Sequence, residues 1–540
     1  MPMQESNSGV EVGYGSGLGQ AIERQPTGIA AFVGRSLRGP INQPVIVHSF
    51  ADFQAAFGGL WKPSPMSYAV DQFFENGGTE AVVVRVANGA RGCTLRVETG
   101  AEPLLLRAIA PGTREFLRAA VDLDGIGDNE EQRFNLTVQR LRAPGTEQVE
   151  SQEIFRGLSV DPASSNFIAS ALAESSLVRL AGDAPRVRPA PTLSATGSVE
   201  YAHSRSDGDD GAPLTDYDLI GSAEERTGLF ALEGTDAFNF LCLPPHAHEQ
   251  DIGPGALLVA HRYCVARRAI LLTDPPRAWD TPDKALLGSR EWILNSEDAV
   301  MYFPRLLALD KLRGRFEAFG PSGAVAGMLA RADRRSPVWR EDLSDVAGLR
   351  PGFRPQVVLS DAQREQLANW GVNGLSARRP GAGGGASPRT LAGRALEPHK
   401  RELAARRFSL FVLNSIERGT RWAVFEPPGP ATWQALTGQV ASFLASLEQD
   451  GAFAAAKPGE RWFVTCDERL NPLTDDEACI NLLVGFASGS VPRLSAWLLS
   501  HRPGGSQFRP RQLDPVAIGN LLAGAMRPDR AGGETLAEAG

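Results

Sequence analysis

Two hydrophobic periods alternate along the first part of this chain, and together they separate strands from helices. GIAAFVG from Gly28, PVIVH from Pro44 and AVVVRVA from Ala81 are unbroken apolar runs of strand length, as are FNFLCLPP from Phe238 and AILLTDPP from Ala269. Runs of this kind predict strands buried on both faces. Between them lie helical stretches with readable ends: Ser49 caps FADFQAAF, which stops at Gly58-Gly59, SYAVDQFFENGG stops at a second glycine pair, and ALLVAHRYCVARR follows Pro254. Buried strands alternating with short helices predict a mostly parallel α/β sheet.

Elsewhere the pattern changes. Between about Arg91 and Gly211, strictly alternating segments (TLRVE, FNLTVQRL, SLVRL) predict a β-rich insertion over 91–212, which leaves through an exposed linker rich in Pro, Ser, Gly and Asp. The α/β character resumes over 213–395 and ends at ARRPGAGGGASPR (377–389), which cannot hold regular structure. A carboxyl-terminal α+β domain over 396–505 follows. Trp433, Leu436, Val440, Phe443, Leu444 and Leu447 fall on one helical face, with Pro430 in the first turn and Gly451 at the stop. RWAVFE, RWFVTC, INLLVGF and LSAWLLS are its expected strands. Residues 506–540 lose the apolar pattern and read as a tail. Residues 1–27 read as an extended arm, in which only Val10, Val12 and Tyr14 alternate as a strand does, and the cores are expected to begin at Gly28.

Composition narrows the function classes. The 540 residues allow three or four domains, and 42% hydrophobic content is enough to fill their cores. A net charge of -8 weighs against nucleic acid as a partner. No apolar run approaches the ~18 residues that span a bilayer, and the start of the chain lacks a signal-peptide pattern, so neither membrane insertion nor export by a leader is expected. Five cysteines, odd in number and never spaced C-x-x-C, fit reduced, buried thiols.

The strongest chemical candidate is His246, His248, Glu249 and Asp251 after one strand, with Asp274 at the end of the next. Imidazole and carboxylate at the carboxyl ends of α/β strands suit zinc or manganese. The plainer alternative is a surface loop after Pro244-Pro245, since histidines at i and i+2 need a third ligand that no fixed spacing supplies. Gly381-x-Gly383-x-x-Ala386 matches a dinucleotide fingerprint by letter only, with no strand before it. Asp207-Gly-Asp209-Asp210-Gly211 fails as a calcium loop because its glycine falls one place early. No nucleophile elbow, Walker lysine or H-E-x-x-H is present. From Arg378 to Arg407 eight Arg or Lys stand against Glu397 and Glu402. Lys400, Arg401, Arg406 and Arg407 form either a solvated face or a patch for an acidic protein partner.

The order of segments adds a resemblance. TGIAAFVGRSLRGPINQPVIVHSFADFQAAFGG, followed by SYAVDQFFENGGTEAVVVRVA, resembles the amino-terminal block of contractile phage tail sheath proteins and of the sheaths of extracellular contractile injection systems. EIFRGLSVDPASSNFIASALAESSLVRL resembles the family's inserted β-domain, and FGPSGAVAGMLARADRRSPVWRE its central α/β domain. RRFSLFVLNSIERGTRWAVFEPPGPATWQALTGQVASFL and FVTCDERLNPLTDDEACINLLVGF resemble the carboxyl-terminal sheath domain.

The resemblance implies a central subtilisin-like α/β domain without a catalytic triad, an inserted β-rich domain, a carboxyl-terminal α+β domain and extended terminal arms. It implies a structural, non-enzymatic subunit without cofactor or metal, assembled in a bacterial cytoplasm into hexameric rings stacked around an inner tube. Its partners would be itself, the tube protein, baseplate and terminal cap proteins, and sheath paralogues. Val10, Val12 and Tyr14 would pair with a neighbour's sheet, while Lys400, Arg401, Arg406 and Arg407 would face the tube or an adjoining subunit. Where the family commonly opens with Pro-Gly-Val-Tyr-Val, this chain has Gly9-Val10-Glu11-Val12-Gly13-Tyr14, and it carries GAGGGASPRTLAGRAL in place of an apolar strand. These departures leave open a minor sheath paralogue or baseplate adaptor. A metal-dependent hydrolase using His246, His248 and Asp274 is the rival from another class.

Overall fold

Four of the five apolar runs lie in one sheet as parallel strands, and the fifth, PVIVH, joins it antiparallel. The computed structural model describes residues 21–98, 102–127, 129–194, 197–339, 348–375, 387–472, 479–488 and 491–512. Two compact units divide them: one takes 28–335 with the described part of 343–394, the other takes 21–27, 336–339 and the described residues from 395 onward.

In the larger unit a seven-stranded sheet runs in the order Val372–Gly374, Ala299–Phe303, Ile270–Thr273, Phe240–Cys242, Ala30–Gly34, Ala81–Arg85, Pro44–Val47. All neighbours are parallel except the last pair, where Val45 faces Val83 in antiparallel register. The central strands are buried on both faces, as unbroken apolar runs require. Ser49 caps Phe50–Phe57 by accepting from the Asp52 N–H, and Gly58 ends that helix in the left-handed region at φ 88°. Helices Pro65–Glu75 and Ser322–Arg335 pack closely because Gly323 and Gly327 lack a Cβ: one on Gly323 would stand 2.1 Å from the Ala69 carbonyl oxygen.

The insertion closes a core of its own between two sheets. Phe116–Asp122, Arg133–Leu141, Val149–Ser159 and the short Ala202–His203 make one, and Thr94–Val97, Leu104–Ala108 and Val178–Leu180 make the other. Leu95, Leu106, Leu117, Val121, Phe134 and Val138 fill the space between. The acidic run of the linker has a structural use. Asp207 accepts from the Thr94 N–H and hydroxyl at 2.8 and 2.6 Å, and Asp210 does the same at Thr113, so both clasp the returning chain to the insertion. At the junction with the sheet, Arg85 is fully buried and donates to the Gly39 carbonyl. Burial lowers its pKa to about 10, against the opposing pull of Asp210 and Glu115.

In the smaller unit, helices Leu403–Gly419 and Pro430–Gln449 cover an antiparallel sheet ordered Trp462–Thr465, Ile480–Ser488, Val491–Arg502, Gly505–Arg511. Phe408 centres the core, touching Trp339, Phe411, Phe453 and Phe486.

Three expectations are corrected here. RWAVFE is a 3-10 turn, Arg421–Phe425, in which only Ala423 is buried. Its letters alternate as a strand's do, but the Trp422 indole is drawn to Gln439 (2.9 Å) instead of into a ladder. Residues 505–511 form a strand although they lack an apolar period: Phe508 packs against the core, and the ladder with Val491–Arg502 holds the rest. Cores also begin earlier than Gly28: Ile22 is buried against Gly419, and the Gln25 N–H donates to Ser415. The stretch 376–386 and the arm residues Val10, Val12 and Tyr14 lie outside the described residues.

Candidate functional site

The His246–Asp251 loop does follow strand Phe240–Cys242, yet its side chains diverge. His246 stands 3.6 Å from Asp216 through Nδ1. His248 turns the other way, edge-on to Tyr68 (5.1 Å between ring centres) and beside Phe319. Burial, with Arg313 nearby, holds its imidazole below the ordinary histidine value. Glu249 pairs with Arg277 at 2.8 Å, and Asp251 accepts from the Arg277 backbone N–H. Asp274 is sealed at the end of strand Ile270–Thr273, where it accepts from the Ser322 N–H at 2.8 Å. Burial pushes its carboxyl pKa up while Arg305 pulls it down. Among the described residues no group of three His, Cys, Asp or Glu is gathered as metal ligands. The five candidates are separate structural contacts, which the spacing alone could not distinguish from a ligand set.

Beside Asp274 and Arg305 a cavity of about 360 Å³ opens at the strand ends, walled by Leu243, Ile252, Leu257 and Trp292. It is apolar and presents no nucleophile with an adjacent base.

The basic stretch is less of a patch than its sequence suggests. Arg407 is buried and donates to the Thr27 carbonyl at 3.2 Å, fastening the amino-terminal segment to its own unit. Lys400 pairs with Glu397 at 3.4 Å, and Lys400, Arg401 and Arg406 are half-buried on or beside the start of helix Leu403–Gly419.

The sequence reading missed the edge of the smaller sheet. Gly505–Arg511 pairs on one side with Val491–Arg502, from Arg502 opposite Gly505 to Ala496 opposite Arg511, and has no strand on its other side among the described residues. Trp462–Thr465 is open in the same way at the far edge. Behind the first edge, His501 is fully buried, its Nε2 2.8 Å from the Thr420 hydroxyl and its Nδ1 2.7 Å from the Ser506 hydroxyl. One imidazole thereby ties the end of a helix to two strands. Short Pro- and Arg-bearing strands protect edges from unselective pairing, and Pro510, Arg509 and Arg511 fit that role. Within the same unit Arg24 pairs with Asp450, so residues 22–27 hold fast to the domain whose edges stand open.

No known protein-family profile and no curated protein sequence matches this chain. Solved structures do. A sheath tail protein of Listeria innocua aligns with a TM-score of 0.53 at 12% identity, over 92% of this chain and 97% of that one. The contracted sheath complex of an extracellular contractile injection system aligns at 0.49 and 15% identity, over 90% and 95%. A sheath tail protein of Desulfitobacterium hafniense aligns at 0.48 and 12%, over 91% and 98%. By its alignment with the Listeria protein, the chain has the mixed α/β, multidomain fold of a tail sheath protein.

Proposed function

We propose that this chain is a structural subunit of a contractile tail sheath, which polymerises around an inner tube and contracts to drive it through a target envelope. The observation that carries this reading is the alignment with the Listeria sheath tail protein over nearly the whole of both chains. The seven-stranded, mostly parallel sheet supports a subtilisin-like central domain whose candidate acids and bases are spent on structural contacts. Subunits form hexameric rings in the cytoplasm of the producing cell, stacked with a rise, and heterologous contacts of that kind generate an open helix. The strand around Val10, Val12 and Tyr14 adds to the open sheet edge of a neighbour, keeping subunits linked while rings slide and rotate. Lys400, Arg401 and Arg406 face the tube or an adjoining subunit, with baseplate and cap proteins at the ends.

Contraction then releases stored free energy, with no nucleotide. If the contracted state buries ~200 Å² more apolar area per subunit, at about 25 cal/mol/Å² each gains ~5 kcal/mol. Co-expression with the tube protein followed by negative-stain microscopy tests the reading. Striated tubular particles around the tube are expected, and a chain that stays monomeric beside its tube contradicts it.

A further inference from the structure

One small sheet in the larger unit is covered by the described residues on a single side. Strands Leu306–Asp310 and Arg315–Phe319 form a hairpin, and Arg354–Pro355 lies along its first strand. The register settles which side chains share a face. Leu306 opposes Phe319 and Pro355, and Ala308 opposes Glu317, on the side that packs against Tyr68. Leu309 opposes Phe316, and Leu307 opposes both Ala318 and Arg354, on the other side. There Leu309 is 49% exposed and Phe316 52%, and Leu312 in the adjoining turn is 53% exposed. The Arg354 guanidinium sits 4.5 Å over the Phe316 ring, an arrangement that keeps a cation at the apolar surface. Neither carboxylate of the hairpin belongs to this face: Asp310 is buried toward Tyr68, and Glu317 pairs with Arg313 and Arg315.

An apolar face topped by an arginine fits a partner that is aromatic or aliphatic and acidic. The chain carries such a surface itself. Between Thr215 and Asp236 the sequence carries six carboxylates against Arg226 alone; Asp218 is taken up by the Thr215 cap and Asp216 by the Gly253 N–H and His246. Tyr217, 84% exposed, projects from helix Asp216–Ile220, and Glu224 and Glu225 are exposed beside it in sequence with no ion pair among the described residues. Two unlike patches on one chain pair head to tail, so the contact propagates instead of closing a dimer.

We propose that the outer face of this sheet, Leu309, Leu312 and Phe316 under Arg354, is a subunit contact that receives the acidic segment around Tyr217, Glu224 and Glu225 of a second copy. The inference rests on the sheath reading and adds to it a specific pair of surfaces. The test uses the full chain co-expressed with its tube protein. Arg354→Glu and the pair Glu224→Arg, Glu225→Arg should each cut the polymer recovered by sedimentation about tenfold, with subunit melting temperature unchanged to within about 2 °C. Their combination should restore most of it. A benzoylphenylalanine at position 316 should crosslink, by mass spectrometry, to residues 216–236 of another copy. A wild type that forms no polymer overturns both the sheath reading and the contact. A wild type that polymerises overturns the contact alone if Arg354→Glu polymerises equally well, or if position 316 crosslinks to the tube or elsewhere on the chain.

Discussion

The two units finish their sheets differently. In the larger unit the edges of the seven-stranded sheet are strands of three and four residues, one opening at Pro44 and the other ending at Gly374. Short edges of that kind offer little to pair with, and the sheet's stability comes from central strands buried on both faces. The smaller unit's sheet has a seven-residue edge, Gly505–Arg511, held from behind by His501 and without a strand on its other side among the described residues. The larger unit has a long edge too, Val149–Ser159 of the insertion, so the contrast is between the two units' main sheets. The proposed strand addition falls to the smaller unit and the proposed apolar contact to the larger, and in each case folding and assembly should fail independently.

The largest expected effect is on folding alone. Phe408→Ala removes the ring that four aromatic side chains touch and should cost about 3–5 kcal/mol, seen in urea titration as a shift of the smaller unit's transition while that of the larger unit stays in place. Equal shifts in both would dissolve the comparison. Next comes His501→Ala, which leaves the Thr420 and Ser506 hydroxyls without their buried partner and should cost about 1–3 kcal/mol. Hydrogen exchange should show Gly505–Arg511 opening before any other strand of its sheet.

How much of this division could be read from the letters depends on burial. The runs AAFVG and AVVV announced central strands because both faces of each are buried, so their residues must be apolar; Arg85, which follows, is the buried exception and donates to the Gly39 carbonyl. Ser49 and Gly58 announced a helix because its unpaired end groups select their caps. GSQFRPR announced nothing, since Phe508 is the one side chain it sets against the core and a single residue has no period. Ile22 was invisible for a related reason: one anchoring residue in a polar stretch has no period. The histidine loop was legible as chemistry and not as geometry, because spacing along the chain does not reveal that His246 and His248 face different neighbours.

A smaller effect belongs to the larger unit and to pH. His248 is held below its ordinary pKa by burial, with Arg313 adding to that and Glu317 and Asp310 opposing it. The unfolded chain therefore binds the proton more readily than the folded one. Its contribution is complete above the unfolded value, about 6.5, and is lost as pH falls through the folded value. His248→Phe keeps an aromatic ring against Tyr68 and Phe319, and should flatten the fall of the larger unit's urea midpoint between pH 7 and 5. An unchanged slope would remove His248 as its source. Smallest is the effect of reversing Lys400, Arg401 and Arg406, which should leave both transitions within about 0.5 kcal/mol and make assembly with the tube weaker and less salt-dependent. Unaltered co-assembly would assign these cations to solvent.

The central claim is that each unit folds from its own core while assembly depends on a strand added to an open edge. Removing residues 1–20 tests this most directly, because the cut stops short of Ile22 and Arg24, which anchor the segment to its unit. Negative-stain microscopy of the truncated chain with its tube should show no sheaths, while its melting curve matches that of the full chain. Long, contractile sheaths built from the truncated chain would contradict the account.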